Sequence, residues 1–432
     1  MLYAGTVRAL RPALQSLPVG PAKLRRGVAG RRSAVEVLEA WAAQARHSER
    51  PLIWLHAPSV GEGLMAQAIL GAARAKMPDA QFAFTWFSPS AERLARGVSA
   101  DVAGYLPWDV RADVRRTLDA LQPSAIAFVR TEIWPVLTRE AAARDIPLAL
   151  VNAVLASGSS RLRAPARWLL RAAYRRLSAV GAVARDDGAR LVELGVDQER
   201  VHVTGDARFD QVFARVQRLD RTSTLLSALR DDARFTIVAG STWDADVERL
   251  LPALDLARAA ADVRIVLAPH EPDEPHLAFA EKLLRSFGIP FARLAEVESG
   301  GGTPPAAVLV DRVGVLADLY ALADAAYVGG GFGDRGLHSV IEPAALGVPV
   351  VFGPRHGNAR EAGELAKHGG GFIVRDADEL GAVLVRLLRD ATSRDEAGRR
   401  AAGYVTSRLG GAERNADLIL SLIRHPSHPT HR

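Results

Sequence analysis

"PLIWLHAPSVGEGLMAQAILGAARAK", residues 51–76, runs from a short apolar segment through a turn into a stretch with helical patterning. An apolar strand followed by a tight turn and a helix is half of a βαβ unit, so the fold depends on whether the pattern recurs. It does, through "FAFTWF" 82–87, "VAGYLP" 102–107, "AIAFV" 125–129, "PLALVNA" 147–153, "AVGAVA" 179–184 and "VHVTG" 201–205. Near-continuous apolar strands separated by helices imply a parallel sheet covered on both faces. Residues 206–234 are polar and helical in pattern and interrupt the alternation. A second series follows with "FTIVAG" 235–240, "VRIVLAP" 263–269, "AAVLVD" 306–311, "AAYVGGG" 325–331, "VPVVFG" 348–353 and "GGFIV" 370–374. The expected fold is α/β, with two Rossmann-like domains facing each other across a cleft. The loop 297–306 reads as a surface excursion.

Composition narrows the function. At 432 residues, with 48% hydrophobic and 24% charged residues, the chain is globular and large enough for two cores. The absence of cysteine excludes disulfides, thiol catalysis and Cys-ligated metal centres. No apolar run approaches the length of a membrane-spanning helix, and residues 1–35 lack the apolar core of a secretion signal, so a cytoplasmic location is expected. Of the net charge of +6, residues 1–35 carry seven Lys or Arg and no acid. A second acid-free stretch, Ile146 to Arg185, places Arg163, Arg167, Arg171 and Arg175 at intervals of four, one stripe if helical. Without interleaved acids this stripe points to an anionic partner, either lipid headgroups or a phosphorylated substrate. Nucleic acid is not expected, since no binding motif accompanies the charge.

Several turns carry chemistry. Ser59-Val60-Gly61-Glu62 has the spacing of a capping box, yet a carboxylate on a strand-to-helix turn also lies at the carboxyl edge of a sheet, where open α/β folds bind ligands. Glu132, in "VRTEIWPVL" 129–137, occupies a second such turn, with Trp134 and Pro135 beginning a helix. Asn152 ends a strand and precedes a Ser/Gly/Arg loop containing Arg161, suited to an anionic substrate. In the second half, Gly329, Gly330, Gly331 and Gly333 follow an apolar strand and would let backbone approach a phosphate closely. Gly336-Leu337-His338-Ser339 reads as a helix opening, a favourable place for phosphate, and Glu342 one turn on is suited to a ribose. Gly240, Ser241 and Thr242 end another strand, where the two hydroxyls suit either a helix cap or a phosphate. His270 opens "HEPDEPH", whose two prolines argue against a metal site with helical ligand spacing.

Taken together, "HAPSVGEG", "RTEIWP", "LVNAVLASGSSR", "VTGDARFD", "AGSTW", "APHEP" and "YVGGGFG…GLHSVIEPAALGVPVVFGP" resemble, in this order, the 3-deoxy-D-manno-octulosonic acid (Kdo) transferases of lipopolysaccharide synthesis, over about residues 50 to 425. The resemblance implies a GT-B glycosyltransferase that moves Kdo from CMP-Kdo to a lipid A precursor, with no cofactor and no metal. It makes Glu62 the general base and Glu132 a second functional carboxylate. Gly240, Ser241, Thr242, Gly329, Gly330, Gly331, His338, Ser339 and Glu342 fall on the donor side, with His270 standing where many members have a basic residue. Ser59, Gly61, Asn152 and Arg161 fall on the acceptor side. The implied organisation is a basic membrane-proximal segment 1–35, an acceptor domain 36–208, a connector 209–234 and a nucleotide-sugar domain 235–432. The implied location is the cytoplasmic face of the inner membrane, held peripherally at an anionic surface. Two alternatives from other classes stay open: a sugar-nucleotide epimerase, which shares the fold and the Glu-Pro helix, and a non-catalytic sugar-nucleotide binding protein.

Overall fold

The computed structural model describes residues 22–230, 233–300 and 304–423. It divides into two compact units, residues 1–211 with 409–432, and residues 212–408. In the first unit, strands β1 (Leu52–Ala57), β2 (Gln81–Trp86), β3 (Val102–Tyr105), β4 (Ala125–Val129), β5 (Leu148–Ala153), β6 (Ala179–Ala182) and β7 (Val201–Val203) form one parallel sheet in the order 3-2-1-4-5-6-7. In the second, β8 (Phe235–Thr242), β9 (Val263–Pro269), β10 (Phe291–Arg293), β11 (Ala307–Leu309), β12 (Ala325–Val328), β13 (Val350–Phe352) and β14 (Gly371–Ile373) form another in the order 10-11-9-8-12-13-14. Each order reverses direction once, between β1 and β4 and between β8 and β12. Such switch points open a crevice at the carboxyl ends of the strands, where doubly wound folds place ligands.

Burial of both faces explains the uninterrupted apolar runs. Leu52 and Trp54 pack with Ile126, Phe128, Leu148 and Leu150 on one face of the first sheet, while Ile53, Leu55 and Ala57 pack with Phe84, Val129 and Val151 on the other. The second face is covered by helix Val60–Lys76 through Ile69, Leu70 and Ala73, and by helix Gly411–Leu420 through Ala412, Ala416 and Ile419.

The placement of helix Gly411–Leu420 in the first unit departs from the expected domain 235–432. The cause is a buried polar joint: Asn415 Oδ1 accepts from the Asn152 backbone N–H at 3.0 Å and the Thr204 hydroxyl at 2.9 Å. Asp210 reinforces it by accepting from the backbone N–H groups of Gly410 and Ala412. The expected connector contains two helices, Ala207–Gln217 and Thr224–Leu229. The expected excursion at 297–306 is helical at its start, Leu294–Gly300, and the short strand β10 before it was not anticipated.

Residues 22–35, expected as part of a basic membrane-proximal segment, belong to the first unit. Helix Ala22–Arg32 packs against the first unit, with Val28 beside Trp108 and Val110 and with Gly30 lying against the Tyr105 ring. Arg31 points inward and is 6% exposed. No helix among the described residues is long and apolar enough to cross a membrane.

Candidate active site

Glu62 and Glu132 flank the switch point of the first sheet. β1 and β4 are neighbours, with His56 beside Phe128 at the end of their pairing. Glu62 lies just past β1, in the first turn of helix Val60–Lys76, and Glu132 lies just past β4. The capping box does not form. Ser59 is the N-cap residue but makes no side-chain cap, and its hydroxyl instead donates to a Glu62 carboxylate oxygen. The other Glu62 oxygen lies 3.8 Å from Arg130 Nε. Arg130 has φ 78°, a conformation that costs a non-glycine residue energy and commonly marks a functional site. Gly61 leaves the backbone open, since an added Cβ would meet only Ser59 Oγ at 4.0 Å.

Glu132 is not a capping acid either. Helix Pro135–Ala142 is capped by Asp109, whose carboxylate accepts from the N–H groups of Val136 at 2.9 Å and Leu137 at 2.8 Å. Among the described residues no hydrogen bond reaches the Glu132 carboxylate. Burial raises its pKa, the charge of Arg161 opposes this, Glu62 adds to it, and Arg31 opposes it again. The two carboxylates therefore share one electrostatic environment with Arg31 and Arg161. Arg31 donates to the Phe87 carbonyl at 2.7 Å and lies over the Phe87 ring at 3.4 Å. Burial pushes its pKa down to about 10 against the opposing influence of Tyr105 and Glu132. Arg161 sits in the short turn Ser160–Leu162.

Asn152 does not belong to this group. It is fully buried with φ 50°, its side-chain oxygen accepts from Ala207 N at 2.6 Å, and its amide donates to Asp206 Oδ1 at 3.2 Å. With these groups committed it joins strand β5 to residues 206–207 and 415, away from solvent.

The donor-side residues gather at the switch point of the second sheet. A bulge between Gly240 and Thr242 in β8 projects Ser241 with φ 52°, while Thr242 is buried. Ser241 therefore remains a candidate contact, and Thr242 a packing residue whose hydroxyl lies 3.5 Å from the Ala268 carbonyl. Gly240 is required for packing: a Cβ there would lie 2.1 Å from the Tyr320 hydroxyl. The glycines after β12 serve the protein's own backbone more than a ligand. A Cβ on Gly329 would strike the Ser241 carbonyl, on Gly330 the Gly336 carbonyl and on Gly331 the backbone of Gly353, whereas Gly333 faces open space.

Residues 336–339 do not open a helix. The helix is Ile341–Ala345, with Val340 as its N-cap. Leu337 is held in the preceding loop by the Asn358 amide, which accepts from its N–H at 3.0 Å and donates to its carbonyl at 2.9 Å. Ser339 lies in that loop, and Glu342, partly exposed, is in the first turn of the short helix. His338 and His270 stack with ring centres 4.1 Å apart.

The segment after β9 does gather ligand-type atoms: Glu271, Asp273 and His276 lie within 4.8 Å of one another. Asp273 is already engaged there, capping helix Glu274–Ser286 and contacting His276 Nδ1 at 2.6 Å.

Sequence reasoning missed several residues. Asp246 is fully buried and holds the donor-side loops together, accepting from Trp243 N, Gly330 N and the Tyr327 hydroxyl. Its position three residues into a helix was a usable signal. Asn358 and Arg31 gave none, one standing in an ordinary loop and the other among surface arginines.

Residues 34–211 match the family described as 3-deoxy-D-manno-octulosonic-acid transferase (kdotransferase). A 3-deoxy-D-manno-octulosonic acid transferase of Bordetella pertussis is 30% identical over 381 residues, covering 85% of this chain and 86% of that protein. The enzyme of the same name from Haemophilus influenzae is 26% identical over 372 residues, covering 85% and 86%. Among solved structures, a UDP-GlcNAc 2-epimerase from Neisseria meningitidis bound to UDP-GlcNAc matches with TM-score 0.61 at 13% identity, over 86% of this chain and 99% of that one. That likeness shows the shared fold alone. The sequence relatives and the matched family agree: the chain belongs to the Kdo transferase family of glycosyltransferases.

Proposed function

We propose that this chain is an inverting glycosyltransferase that moves Kdo from CMP-Kdo to a phosphorylated lipid A precursor. The observation that carries this reading is the Glu62 carboxylate, partly exposed at a helix start and held by Ser59 and Arg130 rather than used up in capping. A base in that position removes the proton from an acceptor hydroxyl as it attacks the anomeric carbon, inverting the centre in a single displacement. Glu132, with its raised pKa, orients the acceptor or holds a proton beside the base. Bond cleavage builds negative charge on the departing CMP phosphate, which Ser241, His338, Ser339 and the open backbone at Gly333 receive, while Glu342 takes the ribose. Catalysis proceeds without a metal or cofactor in this reading.

The acceptor's phosphates and lipid surroundings fit the basic stretch of the first unit. Helix Ala166–Tyr174 carries Arg167 and Arg171, flanked by Arg163 and Arg175, and presents Trp168 at 73% and Leu169 at 44% exposure. Exposed apolar side chains beside a stripe of arginines suit peripheral contact with an anionic membrane surface at the cytoplasmic face of the inner membrane.

Incubating the purified protein with CMP-Kdo and a lipid A precursor, and following CMP release together with acceptor mass, tests the reading. Transfer dependent on both substrates and insensitive to excess EDTA is expected. CMP-Kdo binding without transfer would favour a binding protein, and turnover of a UDP-sugar in its place would favour an epimerase.

A further inference from the structure

Trp243 lies among the donor-side residues, yet no role proposed above uses it. It directly follows β8 and is the N-cap residue of helix Asp244–Arg258. Its backbone is pinned by Asp246, which accepts from the Trp243 N–H at 2.9 Å while its own N–H donates to the Trp243 carbonyl at 2.8 Å. The same carboxylate accepts from Gly330 N at 2.9 Å, tying the loop that carries His338 to the turn that carries the indole. The ring itself is flanked by one guanidinium and by imidazoles. The Arg335 guanidinium lies over it at 4.7 Å, and the rings of His270 and His276 stand 4.9 Å and 5.7 Å away.

The decisive contact is the indole Nε1, which lies 3.2 Å from His338 Nε2. An indole nitrogen can only donate, so His338 Nε2 must present its lone pair. A histidine that accepts at Nε2 is neutral, with its proton on Nδ1. Burial, followed by the neighbouring His270, lowers the His338 pKa to about 4, in agreement with a neutral ring. Among the described residues Nδ1 has no hydrogen-bond partner. The result is an uncharged N–H donor whose tautomer is set from behind, the arrangement by which one ring nitrogen's partner dictates the other's role.

We propose that Trp243 is a positioning residue: its indole N–H locks His338 in the Nδ1-protonated form, so that the free Nδ1–H is available to the phosphate of the nucleotide-sugar donor. This deepens the donor-site assignment made above and rests on it. The lock has a physical rationale. A donor fixed before the substrate arrives needs no reorganisation when charge builds on the phosphate.

The test uses full-length protein labelled with ¹⁵N in its histidine rings, with the His338 signals assigned through His338→Gln. In the wild type at pH 7, His338 should show a protonated Nδ1 and an unprotonated Nε2. Trp243→Phe keeps an aromatic ring beneath Arg335 and removes only the donor. In this variant His338 should gain Nε2-protonated population, and CMP affinity should fall roughly tenfold, the scale of one hydrogen bond to a charged group. A wild-type His338 protonated at Nε2 would overturn the lock with no variant needed. A Trp243→Phe protein that binds CMP as the wild type does would overturn the positioning role. Failure of the wild type to bind CMP at all would instead sink the donor-site assignment, and the spectrum would still decide whether the indole sets the tautomer.

Discussion

Glu62 and His56 illustrate how differently two polar residues at one strand end behave. Glu62 is partly exposed and held by Ser59 and Arg130. Glu62→Gln preserves the size and the contact with the Ser59 hydroxyl but removes the basic oxygen. Turnover should fall at least about 100-fold, the lower end for general-base loss, while CMP affinity stays unchanged because its proposed contacts all lie in the other unit. Turnover above about a tenth of wild type would refute the base role. His56 is fully buried beside Phe128 and Trp134, with Nδ1 3.1 Å from the Thr85 hydroxyl. Burial lowers its pKa from 6.5 to about 3, and the charge of Arg31 also lowers it. Below pH 6.5 the unfolded chain therefore takes a proton that the folded chain refuses, and stability declines as pH falls toward 3. At pH 5 the expected loss from this residue is about 2 kcal/mol relative to pH 7. Thermal unfolding of His56→Gln at both pH values should show a weaker pH dependence by about that amount, whatever the variant's stability at pH 7. An unchanged slope would mean that other groups govern the acid sensitivity.

The elements most legible in the sequence were those whose physics is local. Strands β1, β4, β5 and β9 are buried along their length, so "LIWLHA", "AIAFV", "LALVNA" and "VRIVLAP" read as continuous apolar runs. Glu62 and Glu132 were legible because a carboxylate on a strand-to-helix turn is conspicuous. What escaped depends on partners distant in the chain. Residues 336–339 looked like a helix start, and only the amide of Asn358 reveals what holds Leu337 in a loop. Asn152 looked free at a strand end, whereas its hydrogen bond to Asn415 spans 263 positions. That joint makes an element-scale prediction about helix Gly411–Leu420. Asn415→Ala would strand the Asn152 N–H and the Thr204 hydroxyl in a buried setting, at about 1 to 3 kcal/mol for an unsatisfied group. Lys76→Ala, which removes an exposed pair with Asp417 on the same helix, should cost less than about 1 kcal/mol. Urea unfolding should separate the two variants clearly. Equal small losses would show that the helix is held by its apolar face alone.

At the scale of the molecule the charge is unevenly shared, and the structure changes how that asymmetry should be tested. Residues 1–35 carry seven of the cations, but Arg31 is drawn into the first unit and Ala34 and Val35 are buried there. Deleting the whole segment would therefore damage the fold and confound any measurement of membrane binding. Arg8 and Arg11, with the neighbouring Leu10, Leu14 and Leu17, lie outside the described residues, so a deletion of 1–21 spares the buried positions. The second basic stretch can be separated into its charged and apolar parts, since Arg163, Arg171 and Arg175 are exposed, as are Trp168 and Leu169. Each basic residue near an anionic surface contributes about 1 kcal/mol, an attraction screened over about 10 Å at 0.1 M salt. The wild type should co-sediment with anionic vesicles at low salt and release at about 0.5 M, where the screening length is shorter still. Replacing the three arginines by Gln should weaken low-salt binding by up to about 100-fold, the scale of a few such contributions. Replacing Trp168 and Leu169 by Ser should leave the salt dependence intact while lowering affinity at every salt concentration, because the apolar contact is not screened. Activity should follow binding for an acceptor embedded in vesicles and change little for a soluble, deacylated one. Equal losses on both acceptors would place these residues in folding or catalysis, and binding indifferent to salt and to lipid charge would eliminate electrostatic docking.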